Sequence, residues 1–546
     1  MSDSGGTLQR LARAPLLQRL TGSAKAPLRL QAVPRDHVAG SKAVGQSLLN
    51  GRFAVGGEAV ALAELDWTAV GSATPLGTAL NGFSWLRDLA AAATRERGAG
   101  LAEGLTARWL QAHGEKIDAA WAPALWGERM LFWLAYAPYL LSRRDPAYRS
   151  ALLNTMARGA RHLAGVADDA APGLPRITAW SGLTAACLLL SSGTARLARA
   201  EAGLSRALAS AQHDDGGLMS RSPAEQALLV DRLGLLRAAY SAARHDFPQG
   251  FEDSGSAALA ALHGVTMGDG SLSSWQGSSE GDRTGLAGLV EGCGFRARFL
   301  RIPRGWGYHR LSALGTILVI DAAPPPSPRL ARSGTASTLG IELSDGRQKL
   351  VVGCGGASPS GLGLPEGLAE ALRTTAAFST LTVSDSNSTA ILADGLLGQG
   401  VSNLVVERSE DNDASRLEAS HDGYVRGFGL VHHRALSLGN DGKELRGLDR
   451  LVPRGRRKLR DAVPFALRFH LGVGIEPLAT ADGLGALLRS PGAPPWNFRC
   501  RGAQLGIEES VVVDGSGSLR NTLQLVLVGE VSHLGGEIGW QFRRSS

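Results

Sequence analysis

One short segment in the second half of the chain gathers side chains that can move protons and bind anions. Its members are His421, Asp422, Tyr424, Arg426, His432, His433 and Arg434, followed at a distance by His470. Since the whole chain contains only 12 His and 6 Tyr, composition alone does not explain this density. Imidazole and phenol groups serve as general acids and bases, and guanidinium groups hold carboxylates, so the segment predicts a site for an acidic substrate. A structural role is the alternative, in which His421 to Tyr424 forms a turn that satisfies strand ends and His470 is buried.

A second group of candidates lies in the first half of the chain, near predicted turns between helices. These residues are Trp121, Trp126, Arg129, Arg176, Trp180, Arg221 and Glu225. Indole rings pack against the apolar faces of sugars, and arginines beside them bind carboxylates, so the group is suited to an acidic sugar chain. Trp126 and Trp133 lie seven residues apart on one predicted helix, which is equally a spacing of core residues.

Composition and charge narrow the class of partner. With 44% hydrophobic and 20% charged residues among 546, the chain has the composition of a soluble globular protein of more than one domain. Its formal charge of +7 favours a polyanion: nucleic acid, anionic lipid or an acidic glycan. No zinc finger, helix-turn-helix or RNP-like stretch is present, so nucleic acid is not expected. The densest basic run, residues 454–460, either holds carboxylates or sulfates or is a solvated loop.

Other motifs are notable for what they do not form. The four cysteines lie far apart, which predicts neither a disulfide framework nor a zinc site. The Gly-rich stretch 353–363 lacks the Lys-Ser/Thr of a phosphate-binding loop and is interpreted as a surface loop. The N-terminus lacks the apolar core of a signal peptide, and no apolar run approaches a membrane span. We therefore expect a cytoplasmic protein, with the periplasm or cell envelope as the alternative.

The residue composition and the hydrophobic periodicity of the sequence change once along the chain. Residues 78–250 are rich in Ala, Leu and Arg with apolar residues at helical spacing, which predicts antiparallel helix pairs in a bundle or an α/α toroid. Residues 251–546 contain short Val-, Thr- and Gly-rich runs, which predict an antiparallel sandwich. Asp-Gly pairs at 345–346, 422–423 and 441–442 predict tight hairpin turns. Residues 1–77 are poorly readable and are assigned only as an entry segment.

Seven segments in the same order resemble the heparinase II/III-like family. They are WAPALWGERMLFWL (121–134), HDDGGLMSRSPAEQALLVDRL (213–233), GYHRLSALGTILVIDAAPPP (307–326), IELSDGRQKLVVGCG (341–355), LEASHDGYVRGFGLVHHRALSLGNDGKELRGLDRL (417–451), PFALRFHLGVG (464–474) and FRCRGAQLGIEESVVVDGSG (498–517). The resemblance spans about Trp67 to Phe542. It implies a multidomain α+β protein, with an N-terminal incomplete α/α toroid followed by a C-terminal antiparallel β-sandwich.

The resemblance also implies a reaction. Active members are polysaccharide lyases that cleave uronic-acid glycans by β-elimination, which requires a group that neutralises the uronate, a base for the C5 proton and an acid for the leaving oxygen. On this basis His421 or His433 would be the base, Tyr424 the proton donor and Arg434 the neutralising group. The expected substrate contacts are Trp121, Arg129, Arg176, Trp180, Arg221, His432 and His470.

Three departures from the family pattern weigh against catalysis. The family's Asn-His pair falls at Ala179-Trp180 or a neighbouring position, its Tyr-His pair at Ala224-Glu225, and a further His at about Thr335. No cofactor or metal is therefore expected, although a divalent metal is left open. Two functions follow: a lyase acting on an acidic polysaccharide, or a catalytically inactive glycan-binding or cell-envelope assembly protein. A weaker third hypothesis is a hydrolase that uses paired carboxylates, for which the candidates are Glu128, Asp214, Asp215 and Glu225.

Overall fold

The computed structural model describes residues 28–545, except 56–57, 73, 143–144, 192–193, 282, 357–363, 455–460 and 516. Most of the basic run 454–460 and of the Gly-rich stretch 353–363 therefore lies outside the described residues. The helices before the large sheets are α1 (Lys42–Leu49), α2 (Pro75–Gly82), α3 (Trp85–Ala92), α4 (Arg95–His113), α5 (Pro123–Ala135), α6 (Ala137–Leu140), α7 (Pro146–Val166), α8 (Leu174–Leu189), α9 (Leu197–Ala209), α10 (Pro223–Ala243), α11 (Gln249–Gly264) and α12 (Arg283–Gly292).

Small residues let the central helices of this half approach closely. A β-carbon at Gly127 on α5 would lie 2.3 Å from the backbone oxygen of Thr178 on α8. One at Gly182 on α8 would lie 2.3 Å from the backbone oxygen of Gly127. Because backbone atoms cannot move aside as the end of a side chain can, both positions require glycine. This contact holds α5 against α8 and fixes the helices that surround them.

Aromatic rings in the core of the helical half surround the side chain of Arg129. Trp109 and Trp126 stack with ring centroids 5.7 Å apart. The guanidinium of Arg129 lies 4.0 Å from the Trp109 ring centroid and 4.5 Å from that of Trp126. Its Nε donates to the backbone oxygen of Asn81 at 2.7 Å, and Nη2 donates to that of Ala120 at 2.9 Å. Ring faces and carbonyls thus surround the cation inside the helical domain.

The second half of the chain forms two antiparallel sheets. Ahead of them, β1 (Arg52–Val55) and β2 (Glu58–Ala61) form a small hairpin. The first large sheet has the order β16-β17-β12-β6-β5-β4-β3 with β7 paired to β12, and the second has the order β13-β14-β15-β18-β11-β10-β9-β8. The strands are β3 (Tyr308–Ala313), β4 (Thr316–Asp321), β5 (Ile341–Asp345), β6 (Gln348–Val352), β7 (Leu381–Val383), β8 (Leu404–Glu410), β9 (Ala414–His421), β10 (Leu430–Gly439), β11 (Glu444–Pro453), β12 (Val463–Leu471), β13 (Glu476–Ala479), β14 (Gly485–Ser490), β15 (Ala493–Arg501), β16 (Gln504–Val513), β17 (Leu519–Val531) and β18 (Gly536–Arg544).

Turn chemistry is confirmed for two of the three Asp-Gly pairs. Gly346 joins β5 to β6 with φ of 52°, and Gly442 joins β10 to β11 with φ of 65°. The expectation of a tight hairpin at Asp422-Gly423 is wrong, because a short helix, α14 (Val425–Phe428), separates β9 from β10. The Asp422 carboxylate instead accepts hydrogen bonds from the backbone of Ser402 and Asn403. Another short helix, α13 (Leu368–Ala371), lies between β6 and β7.

The two halves share a continuous apolar interface. Tyr308, Val319, Phe378 and Val513, all from the sheet-forming half, belong to the same buried cluster as the helical core. A separate cluster fills the space between the two sheets. Helix α11 begins at Gln249 and α12 follows it, so the change from helices to the large sheets falls between Gly292 and Tyr308. The predicted order, a helical domain followed by an antiparallel β-sandwich, is confirmed.

Within the described ranges, no helix is both long enough and apolar enough to cross a membrane.

Candidate functional site

The histidine-rich cluster is divided by the alternation of strand β10. Pairing of β10 with β9 places His432 directly opposite His421. Because successive side chains of a strand point to opposite faces, His432 and Arg434 point into the sandwich and His433 points outward. The exposed fractions of His421, Tyr424, His432 and Arg434 are all 2% or less. Four of the predicted cluster residues therefore lie together, but inside the sandwich.

One carboxylate, that of Asp449 on β11, organises this buried group. It accepts from His432 Nε2 at 2.6 Å, from Arg434 Nε at 2.8 Å and from Trp540 Nε1 at 2.7 Å. His432 Nδ1 lies 3.2 Å from His421 Nε2, and His421 Nδ1 accepts from the backbone N–H of Gly423 at 3.1 Å. Two neutral imidazoles satisfy this chain, each donating from Nε2 and accepting at Nδ1. The result is a relay of hydrogen bonds that ends on an ion pair.

The electrostatics of the relay match this geometry. Burial raises the pKa of Asp449, but the Arg434 charge and the hydrogen bond from His432 outweigh burial and hold that pKa far below its usual range. Burial is also the main reason that the pKa values of His421 and His432 are lowered. Arg434 further donates from Nη1 to the backbone oxygens of Leu339 and Ser379. All these groups have partners within the protein, so the arrangement stabilises the sandwich core.

The remaining two residues with predicted catalytic roles are separated by the sheet. The Tyr424 hydroxyl donates to the backbone oxygen of Leu381 at 2.7 Å, and burial raises the pKa of the phenol. His433 lies on the opposite face, in a cavity of about 200 Å³ that Glu418 and Arg450 also line. The structure therefore does not bring His433 and Tyr424 to one surface, and their roles as base and proton donor remain predictions.

Sequence reasoning missed Asp449, although a signal was present. In ELRGLDRLVP, Asp449 shares its side of the strand with Leu445 and Leu451. A carboxylate on the apolar side of an alternating strand needs a buried cationic partner. That partner could not be identified without the pairing of β10 with β11, in which Arg434 lies directly opposite Asp449.

The substrate contacts predicted in the helical half are mostly core residues. Trp121, Arg129 and Trp180 are each 2% exposed or less. Trp180 Nε1 donates to Asp168 at 2.9 Å, and the indole also fills the space beside Gly203. Half-buried Arg176 donates to the backbone oxygen of Ala170. These side chains stabilise the helical domain, and the structure does not expose Trp121, Arg129 or Trp180 to a glycan.

Arg221 lies at the junction of the two domains, but its charge is already neutralised. Its guanidinium forms a buried ion pair with Asp321 on β4 and donates to the backbone oxygens of Trp306 and Pro324. The Tyr308 hydroxyl donates back to the Arg221 carbonyl at 2.7 Å. Arg221 has φ of 56°, a left-handed conformation that this dense bonding maintains. Through these contacts Arg221 links the helical domain to the sandwich.

The junction also brings together two of the positions that depart from the family pattern. The backbone N–H of Thr335 donates to the Gln276 side chain at 2.9 Å. Two residues further on, the Ser278 hydroxyl accepts from the backbone of Ala224 at 2.8 Å. Ala224, Glu225 and Thr335 thus converge through the segment 276–278. Thr335 is 2% exposed, whereas Ala224 and Glu225 are partly exposed.

Glu225 is the titratable group at this convergence. It follows the N-cap Ser222 of α10, whose hydroxyl accepts from the Glu225 backbone N–H. Burial raises the pKa of its carboxyl, and the Ser220 side chain opposes that effect. A carboxylate can accept a proton, but Ala224 and Thr335 offer neither a phenol nor an imidazole. Of these three residues, Glu225 alone can therefore take part in proton transfer.

His470 is not a member of the relay and lines a separate cavity of about 710 Å³. Its Nδ1 is 2.7 Å from the Ser510 hydroxyl, and its Nε2 is 2.8 Å from the backbone oxygen of Ala376. Burial lowers the pKa of His470 to about 4. Its role as a substrate contact remains a prediction. Among the residues that the structure describes, no group of three or more His, Cys, Asp or Glu side chains is arranged to hold a metal ion.

Comparisons with known proteins agree with this architecture. The fold resembles that of heparinase III, with a TM-score of 0.70, 14% identity, and coverage of 92% of this chain and 84% of that one. It also resembles a heparan sulfate lyase of Pedobacter heparinus, with a TM-score of 0.59, 14% identity, and coverage of 92% and 83%. These likenesses support the predicted toroid and sandwich.

A protein of known cellular association is similar in sequence. FtsZ-localized protein C of Caulobacter vibrioides is 28% identical over 536 residues, which cover 95% of this chain and 91% of that protein. Residues 303–541 match the family model described as heparinase II/III-like, C-terminal. This match over the C-terminal part of the chain supports the resemblance to the heparinase II/III-like family that the sequence motifs predicted.

Proposed function

We propose that this protein binds an acidic glycan without cleaving it and acts in bacterial cell division or envelope assembly. The observation that carries the proposal is the composition of the domain junction. Ala224, Glu225 and Thr335 occupy positions where the family resemblance implies Tyr, His and His, and Thr335 is held in a buried hydrogen-bond network. A lyase scaffold is retained, while two of its proton-transfer positions carry side chains that cannot transfer a proton.

The chemistry of β-elimination explains why these replacements matter. The C5 proton of a uronate is weakly acidic, so its removal needs a positioned base together with a cation that stabilises the developing charge. All six tyrosines of the chain are described, and each is buried or half-buried. The histidines His421 and His432 are enclosed by their own hydrogen bonds. Binding requires none of these groups, and a net charge of +7 favours an anionic ligand.

The proposed cellular role rests on similarity in sequence to a relative and not on the geometry of the site. A relative that aligns along 95% of this chain is named for its localisation with FtsZ. Since fold alone does not specify function, this similarity over nearly the full length is the more direct guide to cellular role. Residence in the cytoplasm remains the prediction from sequence, with the periplasm or cell envelope as the alternative.

Glycan binding without cleavage is tested by measuring binding and turnover on the same polymers. Purified protein is incubated with a panel of uronate polymers, with and without divalent metal ions, and ultraviolet absorbance from unsaturated products is followed. Binding to the same polymers is measured by calorimetry. We expect saturable binding to at least one polymer and no absorbance change. Product formed by the wild type but not by Glu225→Gln would instead establish a lyase that uses the junction.

The proposed role in cell division is tested with a fluorescent fusion expressed from the native locus of the bacterium that carries the gene. We expect the fusion to follow the position of FtsZ through the cell cycle and to disperse when FtsZ is depleted. A uniform distribution at all stages would contradict the division role and leave the glycan-binding measurement unaffected.

A further inference from the structure

A cavity of about 880 Å³ opens beside the junction, next to the position of Thr335. One wall is the segment 332–333, a second is formed by Arg373 and Thr374 after helix α13, and a third is the loop 391–396. The bridge between Ile391 and Leu397 closes that loop into a small hairpin. The cavity therefore adjoins the junction but is built from residues that the proposed function has not used.

Arg373 is held in this cavity by the backbone of the two residues that flank Thr335, Gly334 and Ala336. Its Nε donates to the backbone oxygen of Gly334 at 2.9 Å, and its own carbonyl accepts from the backbone N–H of Ala336 at 2.9 Å. Its Nη2 is buried and has no hydrogen-bond partner among the described residues. A β-carbon at Gly395 would lie 3.3 Å from Nη1, so the glycine leaves this second nitrogen uncovered. The backbone contact at Nε thus orients the guanidinium and leaves Nη2 without a partner among the described residues.

The charge of Arg373 is poorly balanced within the protein. Burial lowers the pKa of Arg373, and the charge of Glu370 only partly opposes that effect. Glu370 and Asp394 also line the cavity, but in the part of the chain that the structure describes neither forms an ion pair with Arg373 or with Arg332, an exposed residue at the rim. A partly buried cation without a carboxylate is costly, and two parallel N–H groups match the two oxygens of a carboxylate.

We propose that this cavity binds the carboxylate of a sugar acid, with Arg373 as the bidentate anchor. The inference rests on the proposed function and assigns it a ligand-binding site. It places recognition beside the junction rather than in the histidine-rich sandwich core.

Neutral groups around Arg373 suit the rest of a sugar ring. Asn387 Oδ1 accepts from the Thr375 backbone at 2.9 Å, which leaves its amide N–H groups as donors. The hydroxyls of Ser333 and Thr374 line the same space. Leu392, 48% exposed, offers an aliphatic surface to the C–H face of a pyranose. Polar groups in this arrangement would recognise ring hydroxyls, a demand that an acidic peptide would not make.

The test measures binding of two size-defined oligosaccharides by calorimetry. One alternates glucuronate with N-acetylglucosamine, and the other is the same compound with its carboxylates reduced to alcohols. We expect Arg373→Gln to weaken binding of the acidic compound by at least about tenfold, the effect of losing a charge-assisted hydrogen-bond pair. Arg373→Lys should also weaken it, because an ammonium group lacks the planar fork. The reduced compound should bind the wild type no better than the acidic compound binds Arg373→Gln.

Two further variants separate recognition from folding and from net charge. Gly395→Asn keeps the arginine and tolerates the φ of 76° at this position, but places a side chain against Nη1. It should weaken binding with little change in the thermal midpoint. Arg329→Gln removes the same charge from an exposed residue that does not line the cavity, and should bind as the wild type does.

The outcomes distinguish this inference from the proposed function. Equal binding by wild type and Arg373→Gln would overturn the site and leave glycan binding intact. Failure of the wild type to bind any uronate compound would overturn both. Binding of a Glu-rich peptide in preference to the oligosaccharide, lost in Arg373→Gln, would overturn the sugar assignment and point to a protein partner.

Discussion

Two arginines, Arg434 in the sandwich and Arg373 at the junction, occupy opposite electrostatic situations. Arg434 is 1% exposed, pairs with Asp449 and donates to two backbone carbonyls. Arg373 is anchored by one backbone hydrogen bond and keeps a buried nitrogen without a partner. The first arginine stabilises the fold because its charge is fully compensated, whereas the second has capacity left for a ligand. The His, Tyr and Arg residues of the sandwich predicted a ligand-binding site there. The uncompensated charge of Arg373 favours the junction instead.

The largest expected effect on the free energy of unfolding comes from removing the counter-ion of Arg434. Asp449→Asn would leave the buried Arg434 charge without its counter-ion, and we expect a loss of about 3–5 kcal/mol in the free energy of unfolding. Urea denaturation measures it. Glu537→Gln is a matched change on the neighbouring strand β18, at an exposed ion pair with Arg450, and should cost about 1 kcal/mol or less. Normal stability of Asp449→Asn together with lost glycan binding would reverse the comparison and make the relay functional.

Acid should destabilise the protein through its buried histidines. His470 has a folded pKa of about 4 against an ordinary value of 6.5, so the unfolded state binds more protons between these values. The stabilisation is present above pH 6.5 and is lost as pH falls towards 4; for His470 alone it amounts to about 3 kcal/mol. Denaturation at a series of pH values should show a smaller slope for His470→Gln. His433→Gln, at the solvent-facing position of β10, should largely keep the wild-type slope, and equal slopes in all three proteins would refute the assignment.

The smallest effect is expected at Tyr424, the residue that sequence analysis assigned as proton donor. Tyr424→Phe removes a hydrogen bond to the Leu381 carbonyl, and we expect a loss of about 1 kcal/mol. Glycan binding should not change, because the phenol is 1% exposed. Calorimetry and urea denaturation on the same preparation measure both quantities. Loss of binding at unchanged stability would show that the phenol reaches a ligand and would weaken the distinction between sandwich and junction.

Part of this outcome was readable from the sequence. In strand β10, LVHHRALSLG, His432 and Arg434 share their side of the strand with Leu430, Leu436 and Leu438, whereas His433 lies on the other side. The parity alone therefore indicates that His432 and Arg434 are buried. The Trp126 and Trp133 spacing likewise favoured a core, and both indoles are fully buried. The order of helical and sheet-forming halves followed from periodicity and turn residues.

Other features depend on residues that are distant in sequence. Asp449 is recognisable as the partner of Arg434 only from the register of β10 and β11. The anchoring of Arg373 by Gly334 joins residues 39 positions apart through a loop contact that no periodic pattern encodes. In place of the tight hairpin expected at Asp422-Gly423, helix α14 joins β9 to β10, and the Asp422 carboxylate bonds to residues 402 and 403.

The sequence by itself determined the resemblance to the heparinase II/III-like family and the succession of helical domain and antiparallel sandwich. It also located the departures from the family pattern, near 179–180, at 224–225 and near 335. Local patterns suffice for these properties, because periodicity, turn chemistry and motif order are carried by neighbouring residues. Only the tertiary structure decided which charged groups are compensated. Compensation depends on which side chains meet across strands and domains, and on how much water remains between them. That is why His421, Tyr424, His432 and Arg434 lie in the core while Arg373, which no motif marked, faces a cavity.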